Sequence, residues 1–523
     1  MGVLRFFRHL LNSYKNFYKT IAPTNPNTFD VVLIDLNAIF HPACREVYNP
    51  PFKTFVLQAI PEAQKELLAF QKITDTIEQI LSMCKPTKVL YLAIDGVAGA
   101  CKQSQQRKRR FVSAKIKPEK DWDTAHITCG TPWMARLCKY LHEWILVKKH
   151  TLLANVKVIY SDMYVESEGE HKLIRYLDAT SNFHTRYCIM SPDADLIMLC
   201  LCLPKGHGYI LRENIYTDIA GKFLLVNCDS LKQQVSTNIA WTSEKDAFVS
   251  ERAVKDYVLF LMTIGNDFLP NLYCLEIGNE GIETLQKSYI AAATECGYLV
   301  NSVCAINKET FTKLFEHLAT HEASLILKKF KKGSKFPDYL LASHVHADTL
   351  DFDGLRADYY KTKFKEMDWS IEKFQENIRE ICRAYLRGLN FVIGYYTTKI
   401  PSYDWLYPLH YAPFMKDMYE YVLSLSMTEW NDLQHFDFKQ SLTLNQALLG
   451  IISPRSFEVL PASIQQLLLK NKDHALFKDD FEVDYQGKAM DYEGVCLLPN
   501  VPYETLKVIC KDKYLKNDPI IIG

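Results

Sequence analysis

The first thing this sequence lacks is a net charge. Its 61 lysines and arginines are balanced by 61 aspartates and glutamates, so the formal net charge at pH 7 is zero. Such a chain has no overall electrostatic attraction for a polyanion or an anionic surface. Any binding of that kind must come from local basic patches.

The sequence also lacks paired cysteine motifs. None of the 15 cysteines forms a CxxC pair, and Cys200 and Cys202 are too close together for a zinc knuckle or a redox motif. We therefore expect reduced, mostly buried thiols in an intracellular, cytoplasmic setting, with the nucleus as the alternative. A zinc site is not expected.

No apolar run approaches the ~20 residues of a membrane span. The opening MGVLRFFRHLL has Phe6 where a myristoylation signal has Ser or Thr. Arg5, Arg8 and His9 interrupt its apolar residues, which predicts an amphipathic helix packed on the body rather than a secretory signal. We expect a protein without membrane contact.

What the sequence does contain is an alternation of short apolar runs with stretches of helical spacing. With 523 residues, 48% of them hydrophobic, two or more domains are expected. The helical stretches include 61–83 and 133–147, and the apolar runs lie at 31–36, 88–94, 156–160, 187–190 and 195–203. This predicts an α/β fold with a mainly parallel central sheet flanked by helices. In such sheets, sites form outside the carboxyl ends of the strands.

A basic run, KKFKKGSK at 328–335, and the polar stretch after it suggest a domain boundary. We expect an N-terminal region over 1–326, a junction over 327–353 and a second region over 354–523. The second region is rich in helical patterns, aromatic residues and loops, and is expected to pack against the first.

Seven carboxylates are attached to apolar segments. One pair stands in SPDADLIMLCL, where an extended chain would point both side chains to one face. The seven are Asp35, Asp95, Glu168, Glu170, Asp193, Asp195 and Asp267. A single aspartate at a strand end is usually a helix cap or turn former, but caps do not explain two pairs and three singles.

Such a cluster suits hard cations with oxygen ligands, Mg²⁺ or Mn²⁺. Two ions ~3.5–4 Å apart can clamp both the attacking and the leaving oxygen of a phosphodiester. The acids therefore indicate phosphoryl transfer to water.

A basic segment, KQSQQRKRR at 102–110, follows Asp95. If it is helical, one face carries Lys102, Gln106, Arg109 and Arg110. A run like this is commonly a solvated face or a localisation signal. Its position beside an acidic strand end favours a different role, holding the phosphate of a nucleic-acid end.

Together these stretches resemble the Xrn family of 5′→3′ exoribonucleases over nearly the whole chain. The motifs that carry the resemblance follow in the family's order: MGVLRFFRHL, DLNAIFH, AIDGVAGACKQSQQRKRRF, ITCGTPWMARL, VIYSDMYVESEGEHK, SPDADLIML and GNDFLP, then AYLRGLNFVIGYY, IPSYDWLYPLHYAPF, LPASIQQLL and FEVDYQGKAMDYEGVCLLP. The two blocks are similar to the family's two catalytic regions. The resemblance implies a compact member with a 5′-nuclease, PIN-like core and no long C-terminal extension.

The resemblance also implies roles for individual residues. All seven acids match the family's metal site for two Mg²⁺ ions, which Mn²⁺ can replace, and act in catalysis. The 5′-phosphate pocket matches Lys102, Gln106, Arg109 and Arg110, while His41 and Trp405 match the base-stacking pair. The implied activity is processive hydrolysis of 5′-monophosphorylated single-stranded RNA to mononucleotides in RNA and mRNA decay. The implied assembly is a monomer, with protein partners open.

The sequence departs from the family pattern at a few positions. Gly99-Ala100 stands in place of the usual Pro-Arg and removes one positive charge, and Ser167 stands in place of the usual Gly before Glu168. Two other functions remain alternatives: a flap-type DNA 5′-nuclease, and a catalytically silent RNA-binding scaffold. The second block of motifs argues against a flap-type nuclease, and the seven retained acids argue against a silent scaffold.

Overall fold

The structure is a computed structural model that describes residues 3, 5–50, 60–118, 121–216, 218–219, 221–397 and 399–523. Its residues group into two compact units, each assembled from three stretches of chain. The sheet unit comprises 15–230, 440–480 and 501–523, and the helical unit comprises 1–14, 231–439 and 481–500.

The strands in chain order are β1 Tyr18–Ile21, β2 Asn27–Asp35, β3 Cys84–Ala93, β4 Lys157–Ser161, β5 Arg186–Met190, β6 His207–Glu213, β7 Phe223–Asn227, β8 Val345–His346, β9 Thr349–Leu350, β10 Val483–Asp484, β11 Val495–Cys496 and β12 Ile520–Ile522. The first seven strands and β12 form one sheet in the order β1-β7-β6-β5-β2-β3-β4-β12. The five inner strands from β6 to β4 are parallel, and the outer pairings are antiparallel. The predicted α/β fold with a mainly parallel central sheet is confirmed.

The α-helices in chain order are α1 Phe6–Ser13, α2 Asn37–Tyr48, α3 Glu62–Met83, α4 Ala100–Ile116, α5 Pro132–Lys148, α6 Gly169–Thr180, α7 Ala194–Cys202, α8 Cys228–Asn238, α9 Ser250–Leu261, α10 Gly281–Cys296, α11 Lys308–Lys332, α12 Tyr339–Ala342, α13 Phe352–Lys363, α14 Phe374–Thr397, α15 Met415–Ser424, α16 Met427–Gln434, α17 Leu444–Ile451, α18 Ala462–Lys470 and α19 Tyr503–Ile509. α3 and α5 match the two predicted helical stretches. The predicted N-terminal helix is present as α1 with Phe6, Phe7 and Leu10 buried. Met1, Gly2 and Leu4 of that motif lie outside the described residues.

Both faces of the sheet are covered by helices. Alternate residues of β2, Val32 and Ile34, join one core cluster with side chains of α2, α3 and α5. On the other face α6 packs on β2 and β3, and Tyr176 of α6 meets Tyr91 of β3 edge to face at 5.3 Å between ring centroids. Because both faces are buried, the inner strands are almost continuously apolar.

The apolar run 195–203 is not part of a strand. The backbone is extended at Asp193 but helical from Ala194 onward, so the two aspartates do not lie on one extended segment. β5 ends at Met190, and the run forms α7, whose residues 195–202 are all buried. A short, wholly apolar run has no period that separates a buried strand from a buried helix. The apolar run before Asp267 is likewise helical, ending in a 3₁₀ turn at Met262–Ile264.

The helical unit is built on α9, α10, α11 and the 24-residue α14. The predicted junction 327–353 begins inside α11, which continues to Lys332 and ends at Gly333 with φ of 70°. The contiguous ranges 1–326 and 354–523 do not coincide with the two compact units. The reason is that 440–480 and 501–523 return to the sheet unit, where β12 pairs with β4.

Candidate active site

Two of the predicted acids stand at the carboxyl ends of neighbouring parallel strands. Asp35 is the last residue of β2, and Asp95 follows the end of β3 by two residues. Both face Gly169, where an added Cβ would lie 3.0 Å from Asp35 Oδ1 and 3.3 Å from Asp95 Oδ1. The Gly169 amide donates to Asp95 Oδ1 at 2.6 Å. A glycine at the start of α6 therefore lets both carboxylates approach the helix.

Asn37 ties the same two loops together. Its backbone amide donates to Asp35 Oδ1 at 3.2 Å, and its side-chain oxygen accepts from the Asp95 amide at 3.0 Å. Ser191 Oγ lies 3.4 Å from the second oxygen of Asp35. These neutral contacts orient the Asp35 carboxylate and fix the Asp95 backbone without cancelling the charge of either residue.

Glu168 and Glu170 enter the site at the N-terminus of α6 and are almost completely buried. The turn before them is tightly held, because Ser167 N donates to Val97 O at 2.9 Å and Gly96 N donates to Ser167 O at 2.8 Å. Ser167 has φ of 88°, a conformation that favours glycine. Its buried hydroxyl finds no hydrogen-bond partner among the described residues. The serine that departs from the family pattern is thus a strained one.

Asp193 and Asp195 lie at the N-terminus of α7, with Asp193 at the N-cap and Asp195 in the first turn. Asp195 is buried and Asp193 half-buried. The helix dipole favours negative charge at both positions. The predicted pair is therefore present, on a helix end in place of a strand edge.

Charge–charge interactions link these six acids to one another. Burial, followed by Asp95 and Asp193, raises the pKa of Asp35 well above its usual range. Burial raises the pKa of Glu170 well above its usual range too, with Glu168, Asp195 and Asp193 acting in the same direction. Burial and then Glu168 raise the pKa of Asp95. Asp35, Asp95 and Glu170 are each more costly to ionise because they are buried and have other carboxylates beside them.

A divalent metal ion is the group that such a cluster would hold. All six side chains offer only oxygen donors, and Glu170 Oε1 is buried without a hydrogen-bond partner among the described residues. These features fit Mg²⁺ or Mn²⁺. Within the described chain, however, no three His, Cys, Asp or Glu side chains stand as close together as the ligands of a preformed ion site. The fold assembles the donors, and an ion would have to draw them closer.

The basic segment forms α4, as the predicted spacing requires. Lys102 is buried and its Nζ lies 2.9 Å from Glu168 Oε1, so this lysine contacts the acids directly. Gln106 is half-buried, Arg109 is exposed, and Arg110 Nη2 donates to Ile127 O at 3.1 Å. Burial and then Arg109 lower the pKa of Arg110 to about 10. Two adjacent guanidinium groups that repel each other would be stabilised by an anion between them.

Another basic residue of the run, Arg107, has a structural role. It is buried, donates to Gly450 O at 2.7 Å and to Leu476 O, and lies 4.2 Å from the centroid of the Phe111 ring. The returning segment 440–480 is therefore anchored on the back of α4. Arg107 therefore takes no part in the predicted basic face.

His41 lies on α2 beside the exposed end of this basic face. Desolvation of the ring, followed by the charges of Arg110, Arg109 and Arg45, lowers the pKa of His41 to about 4. The imidazole is neutral at physiological pH even though the residue is exposed at the surface. A neutral flat ring beside two arginines is suited to contact a base whose phosphate the arginines hold.

The last two predicted site residues belong to the helical unit. Asp267 follows Asn266, whose side-chain oxygen accepts from the amides of Phe268 and Leu269 at 2.8 and 3.0 Å. Trp405 stacks on Phe391 with 4.2 Å between ring centroids and meets Phe436 edge to face at 6.2 Å. Their assignment to the metal site and the stacking pair remains a prediction.

Comparison with known proteins now identifies the family. The model described as "XRN 5'-3' exonuclease N-terminus" matches residues 1–214, and the one described as "Xrn1 helical domain" matches 247–351 and 343–513. Together they cover most of the chain. The chain belongs to the Xrn family.

Individual relatives agree with this membership. Human "5'-3' exoribonuclease 1" is 25% identical over 97% of this chain and 34% of the relative. "5'-3' exoribonuclease 2" of Candida albicans is 24% identical over 98% and 72%, and "5'-3' exoribonuclease 1" of Saccharomyces cerevisiae is 24% identical over 97% and 43%. The chain spans about a third of the length of the human relative.

Sequence reasoning missed several residues of the site in this Xrn-family chain. Asn37 stands two residues after Asp35, and Gly169 separates the two glutamates, so both could have been noted from spacing. Buried Lys172 had no comparable signal. Its Nζ donates to Ile94 O at 2.6 Å and Asp162 O at 2.9 Å, and burial lowers its pKa to about 8.

In the ranges that the structure describes, no helix is both long and apolar enough to cross a membrane.

Proposed function

We propose that this protein is a 5′→3′ exoribonuclease that hydrolyses 5′-monophosphorylated single-stranded RNA processively to mononucleotides, acting in RNA decay as a monomer. The observation that carries the proposal is the group of six buried or half-buried acids adjoining the basic face of α4, with Lys102 and Glu168 in direct contact. One group of side chains suits metal ions, and the other suits a terminal phosphate. Family membership supports the direction of digestion and the RNA substrate.

Asp35, Asp95, Glu168, Glu170, Asp193 and Asp195 are proposed to hold two Mg²⁺ ions, with Asp267 as a seventh ligand. The bound ions would lower the pKa of an attacking water and stabilise the charge on the leaving oxygen. The raised pKa values of Asp35 and Glu170 support this role, because these acids ionise fully only when a cation offsets their repulsion. Glu168 is buried and Asp95 half-buried, so access of bulk water to these two acids is restricted.

The residues that select a 5′-monophosphate are proposed to lie on α4. Arg109 and Arg110 would hold the phosphate oxygens as paired donors, with Gln106 as a neutral donor between them and Lys102. Lys102 would contact both the phosphate and Glu168, since its ammonium group already meets that carboxylate. We expect a 5′-triphosphate or a capped end, which carries extra bulk, to be refused.

Processivity is proposed to come from base stacking on His41 and Trp405. Stacking on aromatic side chains is worth ~1–3 kcal/mol per base and tolerates any base. After each cut the new end again carries a 5′-phosphate, which can move to the basic face while the stacked bases hold the strand.

The test is digestion of a 3′-labelled RNA with a 5′-monophosphate, a 5′-triphosphate or a 5′-hydroxyl group, beside matching DNA, in Mg²⁺ or EDTA. We expect rapid release of mononucleotides from the monophosphorylated RNA alone, and none in EDTA. Asp195→Asn should reduce kcat at least a hundredfold without loss of fold. Arg109→Ala should reduce kcat/KM for monophosphorylated RNA by roughly 10- to 100-fold, the effect of one charge-assisted contact.

Two outcomes would contradict the proposal and lead to the alternatives. Preferential cutting of branched DNA would indicate a flap-type nuclease, and RNA binding without hydrolysis in any metal would indicate a silent scaffold. Equal rates on 5′-hydroxyl and 5′-monophosphate RNA would refute the phosphate pocket. For stacking, His41→Ala and Trp405→Ala should leave a ladder of intermediates when excess unlabelled RNA is added during digestion.

A further inference from the structure

The helical unit carries three arginines on one exposed stripe of α14. Arg379, Arg383 and Arg387 are spaced at i, i+4 and i+8, so they lie on one side of the helix with steps of ~6 Å along its axis. Arg379 and Arg383 are exposed and Arg387 is half-buried. We call these three residues the arginine stripe.

The stripe differs from the other basic surface of this unit. Near the end of α11, Lys328 contacts Glu280 at 2.7 Å, Lys329 contacts Glu276 at 2.7 Å, and Lys331 contacts Asp348 at 3.0 Å. Those charges are neutralised within the protein. By contrast, no arginine of the stripe forms an ion pair within 4 Å with any described carboxylate.

Two carboxylates that interact electrostatically with the stripe, Glu429 and Asp437, have other partners. Glu429 accepts from Ser426 N at 2.7 Å and from Ser426 Oγ at 2.8 Å. Asp437 lies 3.5 Å from His435. Both influence the stripe only through space, and burial together with Arg383 outweighs Asp437 in lowering the pKa of Arg387.

Aromatic rings lie along the stripe and lead to Trp405. The Arg379 guanidinium lies 5.5 Å from the Tyr421 ring centroid, and that of Arg387 lies 4.6 Å from the Phe436 centroid. Phe436 in turn meets Trp405 edge to face. Arg379 also donates to Ser424 Oγ at 2.8 Å, which fixes its position. The stripe is thus continuous with the residue proposed to stack on a base.

We propose that the arginine stripe binds the phosphates of single-stranded RNA as a track that adjoins Trp405. This extends the proposed function and rests on it, because Trp405 is the stacking residue of that proposal. Unpaired cations backed by aromatic rings are the combination that binds a single strand without reading its sequence. Successive arginines a helical turn apart can contact successive phosphates of an extended strand.

The experiment measures the Kd of labelled 5′-monophosphorylated RNAs of ~3 and ~20 nucleotides by fluorescence anisotropy, at several salt concentrations. EDTA is present, so binding is measured without hydrolysis. Arg379→Ala and Arg383→Ala should each weaken binding of the longer RNA roughly three- to tenfold and reduce the slope of log K against log salt by ~0.7. The short RNA, which the phosphate pocket and first stacking contacts hold, should bind unchanged.

Lys328→Ala is the matched control, since it also removes one positive charge from the helical unit but from an ion pair. Arg383→Lys should retain the salt slope. If Arg383→Ala behaves like Lys328→Ala, or if it weakens short and long RNAs equally, the track does not exist. Failure of the proposed function would appear separately, as absence of nuclease activity in wild-type protein with Mg²⁺.

Discussion

Ser167→Gly should stabilise this protein, although most substitutions of buried residues destabilise. Ser167 has φ of 88° between two backbone hydrogen bonds that prevent it from relaxing. A side chain in the left-handed region costs ~1–2 kcal/mol, and a buried hydroxyl without a partner costs ~1–3 kcal/mol. Two effects oppose this gain. Glycine gives the unfolded chain more conformational entropy, which costs ~0.5–1 kcal/mol of stability, and loss of the side-chain methylene removes ~0.8 kcal/mol of apolar burial.

The balance is a gain of ~1–2 kcal/mol in the free energy of unfolding, which for a chain of 523 residues corresponds to a rise of ~1–2 °C in Tm. Calorimetry on wild type, Ser167→Gly and Ser167→Ala would measure it. The alanine variant also loses the hydroxyl but keeps the strained backbone, so it should be less stable than the glycine variant. Ser161 is equally buried but ends β4 at negative φ, and Ser161→Gly should therefore destabilise.

The reasoning is refuted if Ser167→Gly is no more stable than Ser167→Ala, because the difference between them isolates the backbone. The same variant bears on activity, since Ser167 immediately precedes Glu168. We expect kcat in Mg²⁺ to stay within about threefold of wild type, because the two hydrogen bonds that orient this turn use backbone atoms alone.

Of three further predictions, two concern the sheet unit and one concerns a buried acid of the helical unit, Glu322. Gly169→Ala should reduce kcat at least tenfold while changing Tm little, because its Cβ would press on Asp35 and Asp95; unchanged kcat in a steady-state assay would contradict the close approach. Arg107→Ala should lower the free energy of unfolding by ~3 kcal/mol by leaving two buried carbonyls unpaired, whereas Arg109→Ala should leave it unchanged in urea titrations. Burial raises the pKa of Glu322 to about 8, so the folded state binds a proton that the unfolded state has released above about pH 4.5. Stability should therefore fall as pH rises towards 8, by up to ~1.4 kcal/mol per pH unit, and Glu322→Gln should remove that slope; parallel curves for the two proteins would show that Glu322 is not protonated.

The sequence by itself determined the features that depend on local pattern. The apolar strands β2 to β5, the helices α3 and α5, and the helical basic face of α4 follow from hydrophobic period and residue spacing. The long ordered motifs were enough to identify the family, because many residues in a set order are far more specific than one acidic pair.

Tertiary structure decided the rest. The apolar run after Asp193 forms a helix because packing, not periodicity, selects between a buried strand and a buried helix. The ion pair of Lys102 with Glu168, the role of Asn37 and the neutral His41 all depend on contacts between residues far apart in the chain. So do the return of 440–480 to α4 and the strained backbone of Ser167, since a serine in sequence carries no sign of the φ angle that its neighbours impose. Long-range backbone hydrogen bonds and burial determine these features, and the local pattern of residues predicts neither.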